Sequence, residues 1–390
     1  MYQEYKEGTY VIEHEDADIW VAKNLKQDQV NYYYGGTRTV PHNYSKDQAY
    51  EVISYLRNYE SGLKNLLINE AIQNGVFEKD KERLPIGFSN SIVGGGRCII
   101  QPKTKEIESI ILDTMHPRHK EVIDSLFKTL GDFLENQDGV IKLTPDFGKF
   151  AGLADMLYQY TDNVLGIRCE DGGCGGKASY TSTGIIAAIE AMGYGKDYAG
   201  PVTLIGSNGA CGIGVLAYLM EKGYKDIAVA DLFYDDNPEL TKELGGKGVK
   251  ILPGIKGKFT DECLCRGGLI VATTTGGELL NSNLSVIKDG TVLLLAHNEA
   301  IPVTQEALDT VEEILNKKNI CIIPGQLLTF GGALTSRLEW FFRANRKEKE
   351  LFNKEQAHDS VRKVTNFCFK VHVEGKERTN LFRRLFSMVD

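Results

Sequence analysis

The spacing of apolar residues divides the chain into stretches of different character. In the first 150 residues or so, strand and helix patterns follow each other irregularly. Ile19-Trp20-Val21 reads as a strand within residues 10–21. Ser45 is placed to cap a helix over 47–67, where Ala49, Val52, Ile53 and Leu56 recur at helical spacing. Residues 69–83 are charged, end just before Pro85, and read as a helical or loop insertion. Residues 91–100 contain Gly94-Gly95-Gly96 and read as a glycine turn entering a strand. Residues 119–136 form an amphipathic helical pattern. Beyond a glycine-rich loop at 171–177, a helical pattern over 183–192 opens a regular alternation. Short apolar strands at Val202–Ile205, Ile227–Ala230, Leu269–Ala272, Val292–Leu295 and 320–323 are interleaved with helices, among them 212–222 and 238–244. That alternation predicts an α/β fold with a parallel, doubly wound sheet. The C-terminal stretch is charged and helical at first, with residues 367–373 as a candidate strand.

Length and composition narrow the picture only a little. A chain of 390 residues predicts two domains, since single cores seldom grow past roughly 250–300 residues. The net charge of −8 lacks the footprint of a nucleic-acid binder. No apolar run approaches the roughly 18 residues of a membrane span, and no export signal opens the chain, so a cytoplasmic protein is expected. The 8 cysteines then read as reduced thiols. The pairs Cys169/Cys174 and Cys263/Cys265 do not match zinc-ligand spacing, and Pro117 sets His116 and His119 in a turn; no metal is expected.

The most informative motif follows the strand Val202–Ile205. It is Gly206-Ser207-Asn208-Gly209-Ala210-Cys211-Gly212, leading into a helix. Glycines let the backbone approach a pyrophosphate, and the helix start offers unpaired N–H groups and a positive dipole end. A second strand ends at Asp231, where a carboxylate can bind ribose hydroxyls and disfavour a 2′-phosphate. This predicts a dinucleotide site with NAD as cofactor. The glycine spacing is G-x-x-G-x-x-G rather than the usual G-x-G-x-x-G.

An ordered set of short segments resembles the glutamate/leucine/phenylalanine/valine dehydrogenase family, closest to the short leucine dehydrogenase type. Tyr34-Gly35-Gly36-Thr37-Arg38 resembles its L-G-G-[TC]-R, and Gly62-Leu63-Lys64-Asn65 its M-[TS]-x-K-N. Gly94-Gly95-Gly96-Arg97 resembles G-G-G-K, and the segment ending Asp146-Phe147-Gly148 resembles x-x-D-x-G. Thr181-Ser182-Thr183-Gly184, Thr274-Thr275-Gly276-Gly277, Ala296-His297-Asn298 and Thr329-Phe330-Gly331-Gly332 follow in family order. The resemblance implies an N-terminal α/β substrate-binding and oligomerisation domain, residues 1–180 completed by 335–390. It implies a Rossmann-type NAD-binding domain at 181–334, with the crossing near Gly172–Gly176. It further implies a homo-oligomer.

The family's roles carry over by position. Lys64 would hold the substrate α-carboxylate, and Asp146 would serve as general acid/base at the amino group. Thr181 and Asn298 would contact the nicotinamide end or the substrate, and Thr274 would belong to the cofactor site. Gly206, Ser207, Asn208, Gly209, Ala210, Cys211 and Asp231 would hold the adenosine diphosphate. The largest departure is Arg97, which stands where the family carries a lysine base. A guanidinium stays protonated and cannot relay a proton, although it can hold an anion or polarise a carbonyl. Thr329 replaces an asparagine, and Tyr34 replaces the usual leucine near the side-chain pocket. The expected activity is therefore NAD-dependent oxidation or reduction of an amino acid, keto acid or related amine or imine, with an unusual substrate or altered mechanism. The alternative is a catalytically weak relative that binds NAD or an amino-acid-like ligand in a regulatory or assembly role.

Overall fold

The computed structural model describes residues 2–26, 29–145, 147, 152–254, 259–274, 285–297, 305–347, 350–377 and 380–389. The chain divides into two compact units. The first comprises Met1–Lys177, Ala333–Ala357 and Val389–Asp390, and the second Ala178–Gly332 and His358–Met388. No described helix is long and apolar enough to cross a membrane. The cysteines are free thiols.

The first unit is built on a mixed sheet of β1 (Tyr2–Lys6), β2 (Thr9–Glu13), β3 (Ala17–Lys23), β4 (Tyr32–Thr39), β5 (Val93–Pro102) and β6 (Ile141–Pro145), in the order β1-β2-β3-β5-β4-β6. Pairing is antiparallel from β1 through β5 and parallel for β5-β4-β6. Strand alternation buries both faces. Ile19, Val21, Cys98 and Ile100 pack with Val122, Ile123, Leu126 and Phe127 of the helix His119–Glu135. Trp20, Ala22 and Ile99 pack on the other face with Ala49, Ile53 and Leu56. Ser45 caps the helix Lys46–Tyr55 in a reciprocal capping box with Gln48. That helix runs on through a π-helical stretch, Leu56–Gly62, into the helix Leu63–Gln73.

The glycines Gly94, Gly95 and Gly96 form no turn; they lie inside the fully buried strand β5. They are small because the chain comes close on several sides. A Cβ on Gly95 would sit 2.3 Å from the Arg57 carbonyl and 2.5 Å from Gly62 Cα, and one on Gly35 would sit 1.6 Å from the Gly96 carbonyl. A glycine run is thus consistent with a strand when a helix rests directly on its backbone.

The second unit has an all-parallel sheet of β7 (Val202–Ile205), β8 (Ile227–Ala230), β9 (Lys250–Ile251), β10 (Leu269–Ala272), β11 (Val292–Leu295) and β12 (Cys321–Ile323), in the order β12-β11-β10-β7-β8-β9. Chain order reverses between β7 and β10, the topological switch point beside which ligands bind in such sheets. Apart from the edge strand β9, the strands are buried along their whole length, which explains their short, wholly apolar runs.

Residues 367–372 are helical rather than extended, and Val373 follows in a turn. They belong to the helix Lys354–His372, whose buried Ala357, Val361, Val364 and Cys368 recur every three or four residues. The longer helical period outweighs the strand-like composition of the last seven residues. Residues 358–388 also group with the second unit, whereas the sequence places 335–390 with the first. Contacts within the second unit account for this. The His358 ring lies 4.5 Å from the Tyr180 ring, its Nδ1 is 2.7 Å from Thr183 Oγ1, and Arg362 pairs with Glu190 at 3.1 Å.

Candidate functional site

In the second unit the site is made mainly of backbone. Gly206 leaves β7 at φ +79°, a left-handed conformation suited to glycine, and Gly209 stands at the N-cap of the helix Ala210–Glu221 without any side-chain cap. A Cβ on Gly212 would lie 2.1 Å from the Gly206 carbonyl, so the turn and helix close only with glycine there. The start of this helix, with no side-chain cap, therefore presents backbone amides to an anion. Asp231, at the end of β8, accepts from the Asn208 amide (2.8 Å) and the Phe233 amide (3.0 Å), which fixes the carboxylate against the glycine turn. The Ser207 hydroxyl is fully buried against Tyr234 Oη at 2.7 Å, leaving only its backbone for a ligand. Beyond β10, Thr273 Oγ1 donates to the Gly206 carbonyl at 2.8 Å, and the buried Thr274 hydroxyl has no hydrogen-bond partner among the described residues. Thr181 lies in the first turns of the helix Ala178–Ala191, backed so closely by Gly331 that a Cβ there would meet the Thr181 amide at 2.4 Å. The donor set, uncapped amides with a fixed carboxylate at the switch point, fits a dinucleotide.

In the first unit the site is made of side chains. Lys64 and Arg97 are both buried. Arg97 extends from β5 over Gly36 and donates from Nη1 to Glu60 Oε1 at 3.1 Å. Glu60 comes from the π-helical stretch and also lies 3.9 Å from Arg38 Nη2. Burial acts to raise the Glu60 carboxyl, but Arg97, Lys64 and Arg38 outweigh it and hold the group below its ordinary range. Asn65 ties the neighbouring elements together, its Nδ2 donating to the carbonyls of Tyr34, Ser61 and Gly94. Arg337 reaches Asn65 Oδ1 at 3.3 Å from the helix Phe330–Asn345.

The predicted residues thus fall into separate groups. Lys64 and Arg97 come together with Glu60 in the first unit. Gly206 to Cys211, Asp231 and Thr274 line the switch-point end of the second sheet, with Thr181 in the same unit. Asp146 and Asn298 lie outside the described residues. Sequence reasoning missed Glu60 and Arg337. Of these only Glu60 had a local signal, its position four residues before Lys64 on one continuous helix. Thr329, where the family has asparagine, donates its hydroxyl to the Gly325 carbonyl at 2.7 Å.

No protein-family model matches the chain. It is 23% identical over 350 residues to the leucine dehydrogenase of Geobacillus stearothermophilus, covering 82% of this chain and 86% of that protein. It is 24% identical over 259 residues to the phenylalanine dehydrogenase of Lysinibacillus sphaericus, covering 63% of each. Among solved structures, L-tryptophan dehydrogenase from Nostoc punctiforme superposes with a TM-score of 0.62 at 16% identity, over 100% of this chain and 94% of that one. The ordered motifs, the doubly wound second unit and these matches agree: the chain is a divergent homologue of the leucine and phenylalanine dehydrogenases with the two-domain α/β fold of amino-acid dehydrogenases.

Proposed function

We propose that this protein is an NAD-dependent oxidoreductase that interconverts an amino acid, or a related amine, and its oxo or imino counterpart. The observation that carries the reading is the uncapped Ala210–Glu221 helix behind the Gly206 turn, with Asp231 fixed beside it. The turn backbone from Gly206 to Cys211 would hold the pyrophosphate, Asp231 the ribose, and Thr181, Thr274 and Asn298 the nicotinamide end. Bound NAD would supply the hydride acceptor. Lys64 would hold the substrate carboxylate as a fixed cation. Asp146 would exchange a proton with the substrate nitrogen. Arg97 cannot act as a base; fixed by Glu60, it would hold an anion or polarise a carbonyl, and the remaining proton transfer falls to another group. A cytoplasmic homo-oligomer belongs to the same proposal, supported by the family resemblance.

The test is a screen by NADH absorbance, with amino acids plus NAD in one direction and 2-oxo acids plus ammonia and NADH in the other. Turnover of at least one substrate is expected, and Lys64→Met should raise its KM about tenfold or more. The Glu60–Arg97 pair also supports a second reading, in which the protein binds NAD without efficient catalysis. NADH binding without turnover, together with activity gained in Arg97→Lys, would favour that reading.

A further inference from the structure

At the C-terminal end of the helix Phe330–Asn345, within the first unit, lies a cavity of about 250 Å³ to which no role has been given above. Its walls include Trp340 and Arg343 from the helix and Arg346 just after it. Tyr158 ends the helix Leu153–Tyr158 on another wall, and Asp162 and Asp171 come from loops. The cavity is separate from the Lys64–Arg97 region. Arg343 follows Arg337 by six residues, which is about 9 Å further along the helix. Each aspartate is already engaged: Asp171 accepts from Arg168 Nε at 2.5 Å, and Asp162 Oδ1 lies 3.6 Å from Arg343 Nη2. Arg343 is held further by the Val164 carbonyl at 2.6 Å, with its guanidinium 4.8 Å from the Tyr158 ring centroid. Arg346 is less well provided for. Its Nη2 donates to the Glu170 carbonyl at 3.1 Å, but among the described residues its buried Nε has no hydrogen-bond partner and no carboxylate stands within ion-pair distance.

A half-buried guanidinium with donors to spare calls for an anion, since its desolvation is otherwise uncompensated. The loop beside it is shaped to leave it room. Gly172, at φ +89°, lies so close that a Cβ there would stand 2.5 Å from Arg346 Nη1. Lys142 adds a second cation nearby, its ammonium 3.3 Å from the Trp340 ring centroid. Burial, and after it the charge of Arg343, bring the Lys142 pKa down to about 7. An anion in the cavity would favour both cations. Two aromatic rings stand beside these charges, and their faces suit a flat ligand. The cavity is smaller than the roughly 300–1,000 Å³ of pockets for drug-sized molecules, and has room for one ring with its acid group.

We propose that this cavity is a second ligand site, which binds a small aromatic carboxylate, with the carboxylate on the Arg346 guanidinium and the ring against Trp340 and Tyr158. The planar fork of a guanidinium matches the two oxygens of a carboxylate. Inorganic phosphate would meet the arginine but not the rings, and a neutral aromatic molecule the rings but not the arginine. The site does not depend on the substrate proposed for Lys64 and Arg97, because the two groups share no residue.

The chain has 2 tryptophans, and Trp20 is fully buried in the core of the first unit, so a change in indole emission on adding ligand reports Trp340. The full chain, without cofactor, is titrated with benzoate, benzamide, acetate and inorganic phosphate, by emission and by calorimetry. Benzoate should give a saturable emission change and bind at least about tenfold more tightly than the other three. Arg346→Met should weaken benzoate about tenfold or more, and Arg346→Lys, which keeps the charge but not the fork, several-fold. Lys64→Met should leave benzoate affinity unchanged. Benzoate binding lost in Lys64→Met but kept in Arg346→Met would put the ligand in the substrate site and overturn the proposal. Equal affinity for benzoate and benzamide, tightest binding of phosphate, or no saturable binding would overturn it too. If Arg346→Met does not fold, the Arg346→Lys comparison decides.

Discussion

The two units bury different kinds of polar group. Among the described residues, every buried lysine, arginine and glutamate lies in the first: Glu60, Lys64, Arg97, Lys142, Arg337 and Glu339. The second buries hydroxyls, Gln326 and one histidine, His297, but no buried side chain of those charged types. The contrast follows from how each recognises its proposed ligand. Phosphates can be met by backbone amides at a helix start, which are neutral and cost little to bury when the chain is already paired. A small substrate with fixed charges needs side-chain charges, and these must be balanced inside the protein.

The strongest way to break this contrast is to remove the counter-charge in the first unit. Glu60→Ala leaves Arg97 buried without its partner and should cost about 3–5 kcal/mol of stability, read from urea unfolding. A loss below about 1 kcal/mol would mean that solvent reaches Arg97 and that the pair is not buried in the working protein.

Acidity separates the units next. Burial pushes His297 down to about 4 from 6.5, so the folded form stays neutral while the unfolded chain takes up a proton. Stability is then lost as pH falls from about 6.5 to about 4, by up to about 3 kcal/mol, and is fully present above that window. Glu60 acts lower down: its carboxyl is held below the ordinary range, so its contribution is present above about 4.5 and fades beneath it. Unfolding measured across pH 4–7 should show the His297 slope in wild type and a flatter profile in His297→Gln. An unchanged slope in the variant would place the effect elsewhere.

A smaller effect tests the backbone-made site. Asp231→Ala should weaken NADH binding about tenfold, or about 1.4 kcal/mol, and narrow the preference for NADH over NADPH, as read by fluorescence titration. Equal loss for both cofactors would show that the carboxylate acts only by holding the Asn208 amide.

The same contrast explains what could be read in advance. The second unit's strands and its glycine turn were legible because their signals are contiguous: a buried strand, a turn and a helix start follow one another from Val202 to Glu221. Strand β5 misled, since Gly94-Gly95-Gly96 signals a turn locally and is explained only by Gly62 and Arg57 resting on it. Lys64 and Arg97 were found through family motifs, but their partner Glu60 was not. The hydrogen bonds from the Lys177 ammonium to the hydroxyls of Tyr34, Thr144 and Ser336 were invisible because the four residues come from distant segments, and only packing brings them together. Lys142 shows a related limit: a strand lysine would ordinarily read as solvated, yet it is buried 3.3 Å from the Trp340 ring and bonded to Asn163.

The π-helical stretch Leu56–Gly62 keeps the two flanking α-helices in phase. A π turn takes in one residue more than an α turn, so this stretch is in effect an insertion absorbed without breaking the helix. Losing one residue there would let the helix close as α while Lys64 and Asn65 keep the direction they have now. Losing one residue from the regular turns of Lys46–Tyr55 would instead rotate everything after it by about 100° and carry Asn65 away from the Tyr34 and Gly94 carbonyls. The helix thus has one place along its length where a change in the number of residues can be absorbed.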